Sequence, residues 1–156
     1  YVLCAALCAA GPALAATGAA SDTDKASADA AAPTEPALLK QAEAAAQHGD
    51  TLAAVQLYQS AIIFDPASPS PYNSLAQFYV DTHQPDMAEK YFTIALDVDP
   101  ANPPALKGLA LLDLAAGNIA GARKQHDLLV SACGEKCPET AQVEKALNGE
   151  PSGAPN

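Results

Sequence analysis

Two prolines in matching surroundings, Pro66 in IIFDPASP and Pro100 in LDVDPANP, lie 34 residues apart. No other feature constrains the fold as much. A period in the range of about 20–50 residues marks a stack of like units, each unable to bury its apolar face alone. Composition says what those units are made of. The apolar fraction is 49%, much of it alanine, with 5% aromatics and no Trp. Such a chain favours alanine-rich helices packed closely together over the β-branched and aromatic runs of a sheet. The expected class is all-α.

The stretch from Pro69 to Asn102 shows what each unit requires. Tyr72, Leu75, Ala76 and Tyr79 put large, large, small and large residues on a first helix, and Ala88, Phe92, Ala95 and Pro100 do the same for a second helix and its stop. A small residue on each helix lets the backbones approach, and the large ones fill the groove beside it. At these eight positions the chain resembles the tetratricopeptide-repeat (TPR) family. The preceding unit keeps Leu38, Ala42, Gly49, Ala54, Tyr58 and Ala61, with Gln41 and Ala45 where large residues are usual. The following unit keeps Leu106, Leu109, Ala110, Gly117 and Ala122, but Asp113 stands where an aromatic is usual and His126 stands at the place of Tyr58 and Phe92.

The resemblance implies a right-handed α-solenoid over residues 36–147, with repeats at 36–68, 69–102 and 103–134 and a capping helix at 138–147. Ser70 before Pro71 and Asn102 before Pro103 read as N-caps, and Gly49 and Gly117 suit the turns between paired helices. Val143 and Leu147, four residues apart, give the last helix an apolar face to close the open end of the stack.

Residues 1–15, YVLCAALCAAGPALA, carry no charge, and Ala13-Leu14-Ala15 supplies the small-x-small pattern of a signal-peptidase site. The stretch is too short to span a bilayer. It reads as part of a signal peptide whose basic start is missing, so a periplasmic or secreted protein is expected. Cys4 and Cys8 both follow leucine, against lipidation. Residues 16–35, rich in Ala, Ser, Thr and Asp, and the tail 148–156 show no apolar period and are expected to be disordered.

With the signal removed, Cys133 and Cys137 remain in SACGEKCPET, and an even count outside the cytoplasm suggests a disulfide. The bridge would clip the cap helix to the third repeat. A redox-active dithiol is the alternative, though the spacing departs from C-x-x-C and no βαβ pattern surrounds it. CGEKCPE is also similar to the ending of some exported bacterial TPR proteins. His48, His83 and His126 are too scattered for a metal site, C-x-x-C-H is absent, and no cofactor is expected.

Eighteen acidic residues against eight basic give a net charge of −10, the wrong sign for nucleic acid or an anionic membrane surface. There is no glycine-rich phosphate loop and no nucleophile elbow, so an enzyme is not expected. In a TPR stack the first helices of successive units line a concave groove. That resemblance points to Glu43, Gln47, Asn73, Gln77, Asp81, Lys107, Leu111 and Leu114 as the surface for a peptide or helix of a partner protein. Leu111 and Leu114 have a second reading, packing against the cap helix. Capture of a C-terminal carboxylate has only Asn73 and Lys107 to work with, because Gln77 occupies another of the family's clamp positions. Three roles remain open: an envelope adaptor using the groove, an architectural subunit or homodimer, and a dithiol protein.

Overall fold

The computed structural model describes residues 33–149, which form seven α-helices and no strand. The expected signal peptide, most of the expected linker and the tail from residue 150 onward lie outside the described residues. Helices α1 (Glu35–Gln47) and α2 (Thr51–Phe64) make the first pair, α3 (Ser70–Asp81) and α4 (Pro85–Val98) the second, and α5 (Pro103–Ala115) and α6 (Ile119–Cys133) the third; α7 (Pro138–Leu147) packs on both α5 and α6. Helix α1 opens at Glu35, inside the expected linker, because Pro36 in its first turn supplies a pre-set φ and no orphaned N–H.

The period is carried by alanine. Ala42, Ala76 and Ala110 recur at 34-residue intervals on the first helices, and Ala54, Ala88 and Ala122 recur on the second; all six are fully buried. With only a methyl group at these crossings the helix axes come close, and Tyr58, Leu75, Phe78, Tyr79 and Phe92 fill the spaces beside them as one core. A second cluster of Leu106, Ala110, Leu129 and Val143 joins α5, α6 and α7. Leu129 stands where the earlier units have Ala61 and Ala95. Its extra bulk, with Val143 from α7, supplies the apolar volume that His126 does not.

The turns within pairs repeat as well. Gly49, His83 and Gly117 hold positive φ of 78°, 58° and 77°, followed by the N-caps Asp50, Gln84 and Asn118. Asp50 and Asn118 accept the N–H groups of Ala53 and Gly121 at 3.1 Å, while Gln84 caps nothing. The middle unit, best in its packing residues, therefore has the least suitable turn: a side chain in the left-handed region and an uncapped helix. Asp113 is not a mere lapse from an aromatic. Its carboxylate accepts from Asn118 Nδ2 at 2.7 Å and its carbonyl from the Asn118 N–H, fastening the third turn.

Asn102 caps α5, its side chain accepting from the Ala105 N–H at 3.1 Å. Ser70 does not cap α3. It is the first helical residue, and its own N–H reaches the Ser68 hydroxyl, which donates to Glu35 Oε1 and ties the α2–α3 loop to the start of α1. Gly108 settles the α4–α5 crossing: a Cβ built on it would lie 2.3 Å from the tip of the Phe92 ring.

Cys133 and Cys137 are disulfide-bonded, with Cα atoms 5.6 Å apart. Gly134, at φ +88°, turns the chain out of α6, and Pro138 opens α7. Buried Thr140 donates to the Gly134 carbonyl at 3.0 Å, a second fastening between cap and repeat. Among the described residues no helix is long and apolar enough to cross a membrane.

Candidate functional site

The first helices α1, α3 and α5 lie side by side, so the residues they leave outside the core share one face. Two cavities open on it. The first, of about 230 Å³, is walled by Glu43, Ala46 and Gln47 of α1, Ser74, Gln77, Phe78 and Asp81 of α3, and Tyr58 of α2. The second, of about 160 Å³, lies between Gln77 and Val80 of α3 and Lys107, Gly108, Leu111, Leu112 and Ala115 of α5. Gln77 belongs to both and makes them neighbours along the groove.

The two differ in chemistry. In the first, exposed carboxylates of Glu43 and Asp81 stand over a floor made by the Tyr58 and Phe78 rings, whose centroids are 5.9 Å apart. Gln77 Nε2 donates to Asp81 Oδ1 at 2.9 Å and steadies that carboxylate. Burial, reinforced by the negative charges of Glu43 and Asp81, raises the Tyr58 hydroxyl above the usual tyrosine range. The second cavity is mostly hydrocarbon, with Lys107 at its margin.

Of the eight groove residues expected from sequence, Glu43, Gln47, Gln77 and Asp81 meet in the first cavity, and Gln77, Lys107 and Leu111 in the second. Asn73 is absent from both. Its Nδ2 donates to Asn102 Oδ1 at 2.8 Å, while its own Oδ1 is buried without a partner. Asn102 Oδ1 is already the acceptor for the Ala105 N–H, so Asn73 must present its amide and is committed to holding the cap of α5. Leu114 lines neither cavity. It continues the helical stripe of Leu106 and Ala110, the side of α5 that packs with Leu129 and Val143. The floor residues Tyr58 and Phe78 were not among the expected groove residues. Tyr58 matched a packing position, and nothing in a one-dimensional pattern shows that its ring also faces a cavity.

No family model and no curated protein matches the chain. Solved structures do. The chain is similar to the Arabidopsis OM64 TPR domain at 18% identity, covering 74% of this chain and 95% of that one, with a TM-score of 0.63. The fold is that of a TPR domain. Two further TPR-like neighbours were solved with peptides. One is the first TPR of Spaghetti (RPAP3) with the HSP90 peptide SRMEEVD, at 16% identity over 74% of this chain and 94% of that one, TM-score 0.60. The other is the Yersinia enterocolitica type III secretion chaperone SycD with a peptide of the translocator YopD, at 19% identity over 72% and 86%, TM-score 0.60. Both cavities described above lie on the face that α1, α3 and α5 share.

Away from the groove, Cys133, Cys137 and Glu139 bring three potential metal-ligand atoms within 4.8 Å of one another. Both sulfurs are used by the disulfide, so no thiolate is available to a metal there.

Proposed function

We propose that the protein is a non-enzymatic interaction module that binds a segment of a partner protein along the α1, α3 and α5 face. The observation that carries this reading is the pair of adjoining cavities, both too small for the range of about 300–1,000 Å³ typical of small-molecule sites but suited to successive side chains of one peptide. Peptides bound to two neighbours of the same fold support it. The test is recovery of partners from cell-envelope extract by the wild type and by a Gln77→Ala, Leu111→Ser variant. Loss of a partner from the variant supports the reading; identical recoveries place the binding surface elsewhere.

The envelope setting is part of the proposal. It draws on the uncharged segment 1–15 with its Ala13-Leu14-Ala15 ending and on a disulfide that an oxidising compartment would preserve. Fractionation of expressing cells tests it, with cytoplasmic recovery of reduced protein as the contrary result.

A second reading, an architectural subunit or homodimer, is favoured by one observation. Leu52 and Ile63, eleven residues apart on one face of α2, are 70% and 81% exposed, and Phe64 beside Ile63 is 56% exposed. Sedimentation decides it: a monomer at all concentrations excludes self-association through α2.

A further inference from the structure

The two cavities differ enough to say what the partner must carry. In the first, Glu43 and Asp81 stand on opposite walls, and neither has an ion-pair partner among the described residues, where the single such contact joins His126 and Asp127. Tyr58 is only 3% exposed, yet it lines this cavity and its hydroxyl has no hydrogen-bond partner among the described residues. The hydroxyl is not among the buried polar atoms left without a partner, so it opens onto the cavity, where it can accept from a donor that enters. The electron-rich faces of Tyr58 and Phe78 attract cations as well.

A metal ion does not suit the place, since Glu43 and Asp81 belong to no cluster of three close ligand atoms. An anionic group would meet two carboxylates. What satisfies every wall is a basic side chain: long enough to enter, with an alkyl stem for the rings and several N–H donors for the carboxylates, the Tyr58 hydroxyl and the Gln77 amide oxygen. The second cavity offers Val80, Leu111, Leu112 and Ala115, a lining that matches an aliphatic group.

We infer that the partner of the groove is an extended segment that places an Arg or Lys side chain between Glu43 and Asp81 and an aliphatic side chain in the adjoining cavity of Val80, Leu111 and Leu112. This rests on the groove reading given above. The segment is therefore basic and apolar together, the opposite of an acidic C-terminal tail, and the −10 charge of the chain favours its approach from solution.

The test is selection of a random linear peptide library on the immobilised full-length chain, repeated with Glu43→Gln/Asp81→Asn, with Glu43→Lys/Asp81→Lys and with Leu111→Ser. All these positions are outside the buried core, and circular dichroism confirms that each variant folds. Wild type selects peptides with Arg or Lys at a fixed distance from an aliphatic residue. The neutral pair loses the basic preference but keeps the aliphatic one, the lysine pair selects acidic residues instead, and Leu111→Ser loses the aliphatic preference. A synthetic consensus peptide binds the neutral pair roughly five- to twenty-fold more weakly than wild type, an effect that shrinks as salt rises. Acidic or uncharged peptides selected by wild type and abolished by Leu111→Ser overturn this inference while leaving the groove reading intact. No enrichment on wild type, or enrichment indifferent to every variant, overturns both.

Discussion

Replacing Gly108 by alanine sets helix propensity against packing, and the structure says which effect is larger. Alanine is favoured over glycine in a helix interior by about 0.8–1.0 kcal/mol, so on propensity alone Gly108→Ala stabilises α5. The new methyl, however, would lie 2.3, 2.5 and 2.6 Å from Phe92 Cζ, Cε2 and Cε1, where ordinary contacts begin at 3.4 Å. Three atoms of one ring are met at once, and Phe92 is 2% exposed, so the ring has no solvent to swing into. Relief requires α5 to move off α4 by about an ångström, and overpacking of a well-filled core typically costs about 1–3 kcal/mol. With three buried ring atoms overlapped at once the cost belongs in the upper part of that range, about 2–3 kcal/mol, and after the propensity gain a net destabilisation of about 1–2 kcal/mol is expected. For a domain of this size that is a fall in Tm of roughly 4–10 °C. Thermal and urea unfolding followed by circular dichroism measure it, and Phe92→Leu supplies a partner change. The double variant should lie about 1 kcal/mol or more above the sum of the single ones, because a smaller side chain makes room for the methyl. A neutral or stabilising Gly108→Ala, or strict additivity, would refute the α4–α5 crossing described here.

Three further expectations follow from the same contacts. Giving the middle turn the residues of the first, His83→Gly with Gln84→Asp, removes a side chain from φ 58° and adds a capping carboxylate; urea denaturation should show a gain of about 1–2 kcal/mol. Reducing the Cys133–Cys137 bridge releases a five-residue loop and should lower stability by about 2 kcal/mol, with α7 gaining hydrogen exchange before α1–α4; a reduction potential below about −300 mV marks the bridge as structural and a higher one as a working dithiol. Burial raises Tyr58, as do Glu43 and Asp81 in turn, and burial followed by the Tyr91 hydroxyl raises Tyr79. Because both values are raised on folding, their contribution is complete below about pH 10 and is lost as pH climbs through the folded values, so alkaline unfolding should coincide with the last tyrosinate absorbance step.

The helix pairs were legible in the sequence because their determinants are local or periodic. The buried alanines stand 34 residues apart, Asn102 precedes two prolines, and Gly49 and Gly117 mark turns that need positive φ. Sequence reasoning missed the cases where one residue serves two neighbours. Asn73 sits at a groove offset but spends its amide on Asn102, a contact across 29 residues that no spacing rule reveals. Ser70 lost its capping role to the Ser68 hydroxyl, itself drawn toward Glu35 from another helix. Asp113 looked like decay of an aromatic position, whereas its carboxylate accepts from the Asn118 side chain, turn chemistry that the repeat pattern does not encode. Leu114 illustrates the remaining ambiguity: it follows Leu111 by three residues on α5, yet Leu111 lines a groove cavity and Leu114 lines neither, a difference that offset alone does not reveal.

On the proposed function, a peptide of the partner lies along the α1, α3 and α5 face. Amide chemical-shift mapping with ¹⁵N-labelled protein and a peptide from the selection tests it most directly. Shifts are expected only at residues 43–47, 58, 74–81 and 107–115, with the outer surfaces of α2, α4 and α6 unchanged and Asn73 moving less than Gln77. Shifts centred on Leu52, Ile63 and Phe64 instead would contradict it.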